Sequence, residues 1–296
     1  MDKRIAIYNL YPQYRNYALD KVRTFYTSQG AEVEEYFPLS KYDEIWASSI
    51  FAYNYSLIPP ECHIGGSGVD LLTELPAEIE AVNPRLNYGF TTRGCIRKCE
   101  FCIVPEKEGR IRHDRDLLDL WDGTSKDIVL YDNNILAMPE HFEQVCSDAR
   151  QNGIRLDFNQ GLDHRLLTQE HVDLLKTIRH HELRFAFDSV TQFSSVERTI
   201  DLLQRNGINR CLWYVLCGFD TSFEDDLTRL NYLRERNQNA YVMRYNSGRT
   251  DIRLTALARW ANQHHIFHGM TFPQFIDVPE HQHYKRHIQA IGVLNK

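Results

Sequence analysis

The first eighty residues alternate short apolar runs with one amphipathic segment. Residues 3–8 (Lys-Arg-Ile-Ala-Ile-Tyr) read as a strand, and residues 15–29 as a helix with Ala18, Val22, Phe25 and Tyr26 on one face. Gly30 stands just past that helix, as a stop. Further strands are expected at 32–37 and 44–51. Pro59-Pro60 marks a loop, and Cys62-His63-Ile64 forms a short strand leading into Gly65-Gly66-Ser67-Gly68. A glycine-rich turn after a strand can cradle a phosphate or a flat cofactor. Here there is no G-x-G-x-x-G and no clear helix behind it, so a tight connection is the better reading.

A polar connector with Pro76 and Pro84 covers 74–86, and beyond it the pattern becomes regular. Strands are expected at 86–92, 127–131, 154–158, 183–187, 210–216 and 240–245. Helices are expected at 114–121, 139–151, 168–180, 194–206, 222–236 and 252–264. Pro139 suits a first turn, and Gly153 and Gly207 suit helix stops. Ser194-x-x-Glu197 and Thr221-x-x-Glu224 read as capping boxes. Strands that alternate with helices imply a parallel sheet, curled by right-handed crossovers. Six such units are too few to close an eightfold barrel. The expected fold class is therefore α/β: a partial (β/α)6 TIM-like barrel preceded by a small Rossmann-like α/β domain. The expected domains are 1–80 (the small α/β layer), 81–265 (the strand–helix core) and 266–296 (an irregular tail).

Composition narrows the class. The chain has 296 residues, 43% of them hydrophobic, enough for a full core. Thirty-four basic against forty acidic residues give a net charge of −6, which argues against a general nucleic-acid or membrane-surface binder. No apolar run approaches the roughly 18 residues of a membrane span. The N-terminal Met1-Asp2-Lys3-Arg4-Ile5 has no signal-peptide pattern, so a cytoplasmic protein is expected.

Cysteine supplies the candidate chemistry. Three of the seven cysteines, Cys95, Cys99 and Cys102, fall within eight residues as C-x3-C-x2-C. Iron–sulfur clusters are held by thiolates in such runs. Three ligands leave one metal corner open, which separates a reactive centre from a closed structural one. The loop follows the first strand of the core, where α/β enzymes place their sites. Cys146, Cys211 and Cys217 are scattered and read as buried structural thiols.

The three-cysteine loop followed by strand–helix repeats resembles the radical S-adenosylmethionine superfamily, over residues 86 to about 260. The resemblance implies a [4Fe-4S] cluster on Cys95, Cys99 and Cys102. Its open iron would take the amino and carboxylate groups of S-adenosyl-L-methionine. One electron then cleaves the sulfonium, giving methionine and a 5′-deoxyadenosyl radical that abstracts hydrogen from substrate. Phe101 matches the aromatic that the family has before its third cysteine, near the adenine. By the same resemblance, Tyr131-Asp132-Asn133-Asn134 is the turn that holds the methionine amino group. Asp157-Phe158-Asn159-Gln160-Gly161 ends the third strand. Asp188-Ser189 faces the ribose. Cys217-Gly218-Phe219-Asp220-Thr221 lies near the adenine, as does the strand of Val242-Met243-Arg244. Helix capping is the plain alternative for each polar strand end.

The N-terminal layer resembles a reduced, degenerate cobalamin-binding domain, with Ser48-Ser49 and Gly65-Gly66 at its polar and glycine-pair loops. The loop Asn9-Leu10-Tyr11-Pro12-Gln13-Tyr14 lacks the cobalt-ligating histidine of that domain, so cobalamin is not expected. Only Cys62 precedes the motif and no cysteine follows Cys217, so one cluster is expected. The partners implied are an unknown, small-molecule or other substrate and an electron donor such as flavodoxin or ferredoxin, with no membrane and no nucleic acid indicated. No catalytic acid or base stands out.

Other features admit two readings. Arg93, Arg97, Lys98, Lys107, Arg110, Arg112 and Arg115 surround the cysteine loop, as charge neutralisers or as a solvated face. Arg244 and Arg249 are similar candidates. Gly161-Leu162-Asp163-His164-Arg165 could touch substrate or pair locally. His264, His265, His268, His281, His283 and His287 read as exposed histidines rather than a zinc site. Two alternatives to the enzyme reading stand: a non-catalytic zinc or iron–sulfur protein, and an RNA-modifying member of the same superfamily.

Overall fold

The structure, a computed structural model, describes residues 3–51, 58–245 and 250–289. Arg249 lies outside the described residues. Contacts divide the chain into two units, Met1–Ser125 and Lys126–Lys296.

The first unit is built on β1 (Arg4–Asn9). β2 (Glu32–Glu35) pairs with one edge of β1 and β3 (Glu44–Ser48) with the other, both in parallel. β4 (His63–Gly65) adds to β3, giving the order β2-β1-β3-β4. Ile5, Ala6 and Ile7 are all buried, as in parallel strands covered on both faces. α1 (Tyr17–Ser28) packs Leu19, Val22 and Tyr26 against Ile5, Ile7, Trp46 and Ile79. Asn16 caps that helix, accepting from Leu19 N at 3.2 Å, and donates to Ser48 Oγ at 2.8 Å. The cap thus ties the helix start to the end of β3.

Gly66 has φ +100, and a Cβ there would lie 2.4 Å from Ser49 O. Gly68 N donates to Ser49 O at 2.9 Å. The glycine run is thus used for close packing of two loops, as the connection reading expects.

The remainder of this unit holds α2 (Ala77–Glu80), β5 (Tyr88–Gly89), β6 (Thr92–Arg93), α3 (Val104–Lys107), β7 (Arg112–His113) and α4 (Leu117–Leu120). The strand expected at 86–92 is broken into β5 and β6. Gly89 interrupts it at φ +152, with a Cβ there only 2.8 Å from Leu120 Cδ2. β6 and β7 form a short antiparallel ribbon instead, Thr92 opposite His113 and Arg93 opposite Arg112.

In the second unit, β8 (Asp127–Leu130), β9 (Arg155–Phe158) and β10 (Arg179–His180) form one parallel ladder. β11 (Arg184–Ala186), β12 (Leu212–Cys217) and β13 (Asn239–Arg244) form a second. Between them run α5 (Pro139–Asn152), α6 (Gln169–Thr177), α7 (Phe193–Arg205), α8 (Phe223–Glu235) and α9 (Ile252–Ala261). The two ladders meet at Arg184, which pairs with Asp157 and whose carbonyl accepts from Leu162 N at 2.8 Å. Among the described residues, no helix is long and apolar enough to cross a membrane.

Four expectations are corrected. α6 stops at Thr177, and Arg179–His180 becomes a strand on β9, so the helix does not reach 180. Ser194 does not cap α7, because a 3-10 turn at Val190–Gln192, capped by Ser189, starts the helix one residue earlier at Phe193. The box on α8 is Ser222 with Asp225, one residue on from Thr221. The described part of the tail is helical: α10 (His264–Gly269), α11 (Phe272–Asp277) and α12 (Gln282–Gln289) bury Phe267, Phe272, Phe275, Ile276, Tyr284 and Ile288. Its helices are only one or two turns long, too short for a 3.6-residue period to show.

Candidate functional site

The cysteine loop, in the first unit, is shaped from its neck. Gly94 has φ +79, and a Cβ there would lie 2.3 Å from Arg110 O. Cys95 N donates to Gly109 O at 3.1 Å, closing the loop at its base. Cys102 N donates to Cys99 O at 3.0 Å, folding the second and third cysteines into one tight turn. Arg97 N donates to Cys95 Sγ at 3.3 Å. The three cysteines are half-buried, and Phe101 is half-buried beside Cys102. Three soft donors on one short closed loop fit an iron–sulfur cluster with one open corner.

Two arginines near this loop act structurally. Arg93 pairs with Glu108 at 3.0 Å and stacks on Phe90 at 3.7 Å. Arg115 donates to Asp114, Tyr17 Oη and Asn83 Oδ1. Both are committed to neighbours.

In the second unit the polar candidates occupy the carboxyl ends of the parallel strands. Asp132 and Asn134, after β8, are buried. Among the described residues the amide nitrogen of Asn133 finds no hydrogen-bond partner though buried, a cost that a bound polar group would remove. Asn134 Nδ2 donates to Asp163 Oδ2 at 3.1 Å. Asp163 in turn binds Arg165 Nε at 2.8 Å, so the Gly161–Arg165 loop does pair locally. His164 is buried and meets Ser195 Oγ at 3.0 Å.

Asn159, after β9, accepts from Tyr214 Oη at 3.1 Å through its carbonyl, while Gln160 is exposed. Asp188, after β11, accepts from Leu216 N at 3.2 Å. Burial pushes its carboxyl up to about 6, against the pull of that hydrogen bond and of Arg229 and Arg165. Ser189 is a cap, accepting from Thr191 N at 3.3 Å. After β12, Gly218 turns at φ +78 and Phe219 packs edge-on to Tyr245 at 4.8 Å. Met243 on β13 is partly exposed, and Arg244 Nη1 donates to Thr255 Oγ1 at 2.7 Å.

Beneath the β11 and β12 ends lies a group that pattern reading missed. Arg229 and Asp226 on α8 form a fully buried ion pair at 2.5 Å. Arg229 also donates to the carbonyls of Phe187 and Leu216, the latter at 2.8 Å. Thr221 Oγ1 donates to Asp226 at 2.5 Å. This pair fixes the two strand ends that carry Asp188 and Gly218. The only sequence signal was the i, i+3 spacing of opposite charges on a leucine-bearing helix.

The scattered cysteines are inert packing groups. Burial pushes the Cys146 and Cys211 thiols up to about 12, and raises Cys217 well above its ordinary value. Two of the tail histidines serve packing: His268 bonds Asn239 at 3.0 Å and His281 bonds Phe275 O at 2.7 Å.

No family model matches the chain. No curated protein matches it either. Solved structures do. One is the radical S-adenosylmethionine methyltransferase TsrM from Kitasatospora setae, solved with cobalamin and a [4Fe-4S] cluster bound. It superposes with a TM-score of 0.62 over 82% of this chain and 75% of that one, at 14% identity. The fold is radical S-adenosylmethionine-like. Within that fold, the parallel ladders and their polar carboxyl ends match the α/β expectation.

Proposed function

We propose that this chain is a radical S-adenosylmethionine enzyme, with Cys95, Cys99 and Cys102 as the ligands of a single [4Fe-4S] cluster. The cysteine loop carries this reading: three half-buried cysteines in C-x3-C-x2-C spacing on one closed loop, in a chain with this fold. When bound, the cluster supplies the electron that cleaves S-adenosylmethionine and starts radical chemistry on substrate. The chain's own groups bind and orient. Asp132, Asn133 and Asn134 would take the methionine end of the cosubstrate, Asp188 the ribose, and Phe101, Gly218, Phe219 and Met243 the adenine. Asn159 and Gln160 complete the strand-end rim. Arg229 and Asp226 hold the rim in shape.

An acidic electron donor such as a flavodoxin or ferredoxin fits the loop's surface. Residues 94–112 carry five cations against three anions, in a chain of net charge −6. Ile96 and Ile103 are exposed there, at 48% and 46%.

Cobalamin, which the TsrM structure holds, is not part of the proposal, because the loop after β1 offers cobalt no histidine. The substrate is left open, and residues 81–265 are the proposed functional core.

Anaerobic reconstitution with iron and sulfide tests the reading. The expected product is a brown protein with roughly four irons and four sulfides per chain. Cys99→Ala should lose the cluster. One zinc per chain with no labile sulfide would overturn the proposal in favour of a closed structural site. With reductant and S-adenosylmethionine, the loaded protein should release 5′-deoxyadenosine. Added hydroxocobalamin should wash out on desalting.

A further inference from the structure

Within residues 94–109, Gly94 is the only buried residue. Ile96 and Ile103 are exposed, so these two large apolar side chains do little to set the shape of the cysteine loop. Polar contacts gather at the neck of the loop. There, Arg93 Nη1 donates to both oxygens of Glu108, at 3.0 and 3.3 Å. The two side chains are only 14% and 13% exposed, so water screens this pair less than a surface ion pair. Arg112 donates to the Glu108 carbonyl from the β7 side of the neck.

The neck is in turn tied to the N-terminal layer. Glu80 lies 4.0 Å from Arg93 and 2.6 Å from the Nζ of Lys21, a buried residue of α1. Asp114, 3.8 Å from Arg93, binds Arg115 at 2.8 Å, and Arg115 binds Tyr17 Oη on α1 at 2.8 Å. Two charged routes therefore run from α1 to the residue two positions before Cys95.

We propose that Arg93 and Glu108 are positioning residues: a clasp across the neck of the cysteine loop, anchored on α1 through Lys21 and Tyr17, that sets the geometry of the three thiols. The N-terminal layer then serves the metal centre as its mount. The inference rests on the reading of Cys95, Cys99 and Cys102 as cluster ligands, and its test separates the two.

Wild type, Arg93→Gln, Glu108→Gln and the double variant are compared before and after reconstitution. In the metal-free proteins, hydrogen exchange at the Cys95 and Cys102 amides should quicken at least tenfold in each single variant. The Ile5–Ile7 amides of β1 should be unchanged. After reconstitution, each single variant should hold less than half the wild-type iron. What iron it keeps should give an altered electron paramagnetic resonance spectrum on reduction. The double variant should be no worse than Arg93→Gln alone, since Glu108→Gln removes only the contact that Arg93→Gln already breaks. Tyr17→Phe, remote from the loop, should give a smaller shift of the same spectrum and serves if the neck variants fold poorly. Wild-type exchange and spectrum in the single variants would overturn the clasp, and so would losses that simply add in the double. A wild-type protein that takes up no cluster, with exchange quickened as expected, would sink the cluster reading and leave the clasp standing.

Discussion

Asp188 sits in an environment that opposes its ordinary chemistry. Burial lifts its carboxyl to about 6, while Leu216 N, Arg229 and Arg165 favour the anion and Asp220 opposes it. A carboxyl whose pKa is raised on folding binds more protons folded than unfolded, so its share of stability is full below about 4 and lost as pH rises through about 6. At pH 7.5 the ionised side chain is a burden, worth about 1–3 kcal/mol. Asp188→Asn keeps an acceptor for Leu216 N and removes the charge. It should raise the melting temperature at pH 7.5 and leave it nearly unchanged at pH 4. If the proposed cosubstrate site is right, isothermal titration on the cluster-loaded protein should show weaker S-adenosylmethionine binding, the trade expected where a site holds a group at a cost to stability. A variant that is no more stable at pH 7.5 would show that the burial does not burden the anion. Arg229 behaves oppositely. Its partner Asp226 has no water to fall back on, so Arg229→Met should cost about 3–5 kcal/mol in chemical denaturation. If the loss is below 1 kcal/mol, the pair does not hold the strand ends.

At the scale of elements, the readable parts were those with a strong period or a stop. α1, α5 and α7 lie within two residues of their expected bounds, since each pairs an amphipathic stripe with a glycine at or near its end. β12 and β13 were legible as apolar runs between helices. What failed depended on contacts distant in sequence. The break at Gly89 reflects a neighbour, Leu120, thirty-one residues away. The strand Arg179–His180 exists because β9 offers an edge, a fact no helical period contains. The candidate site splits in the same way. The cysteine motif is local and was visible; the strand-end residues came from the family resemblance, laid onto strands placed by alternation; the buried Arg229–Asp226 pair has the same i, i+3 spacing as an exposed helical ion pair. Even the glycine run needed the structure to decide, because Gly66 and Gly68 are required by the backbone of Ser49 and Phe51. Gly66→Ala should therefore destabilise the N-terminal unit, by about 1–3 kcal/mol for strain at a positive φ, with no effect on iron content per folded chain. Lost iron at unchanged stability would show a binding role for that turn.

For the whole molecule, the cysteine loop belongs to the same unit as the N-terminal sheet, since contacts divide the chain after Ser125. The hydrophobic pattern had suggested a boundary near residue 80; packing groups the loop with α1 and β1, through Lys21, Glu80, Tyr17 and Arg115. Linkage gives this a measurable consequence. A ligand stabilises the cooperative unit that holds it, by an amount that grows with its concentration over its dissociation constant. A cluster bound at Cys95, Cys99 and Cys102 should therefore slow hydrogen exchange first in Met1–Ser125, at the β1 and α1 amides, with little change in β12 and β13. S-adenosylmethionine added to the loaded protein should then extend protection to the strand ends, at Asp188 and Gly218. The order matters because each step reports a different set of contacts. Protection that appears in β12 and β13 on metal loading alone, with none in β1, would mean that the cluster is mounted on the strand–helix core and that the N-terminal layer is not its mount.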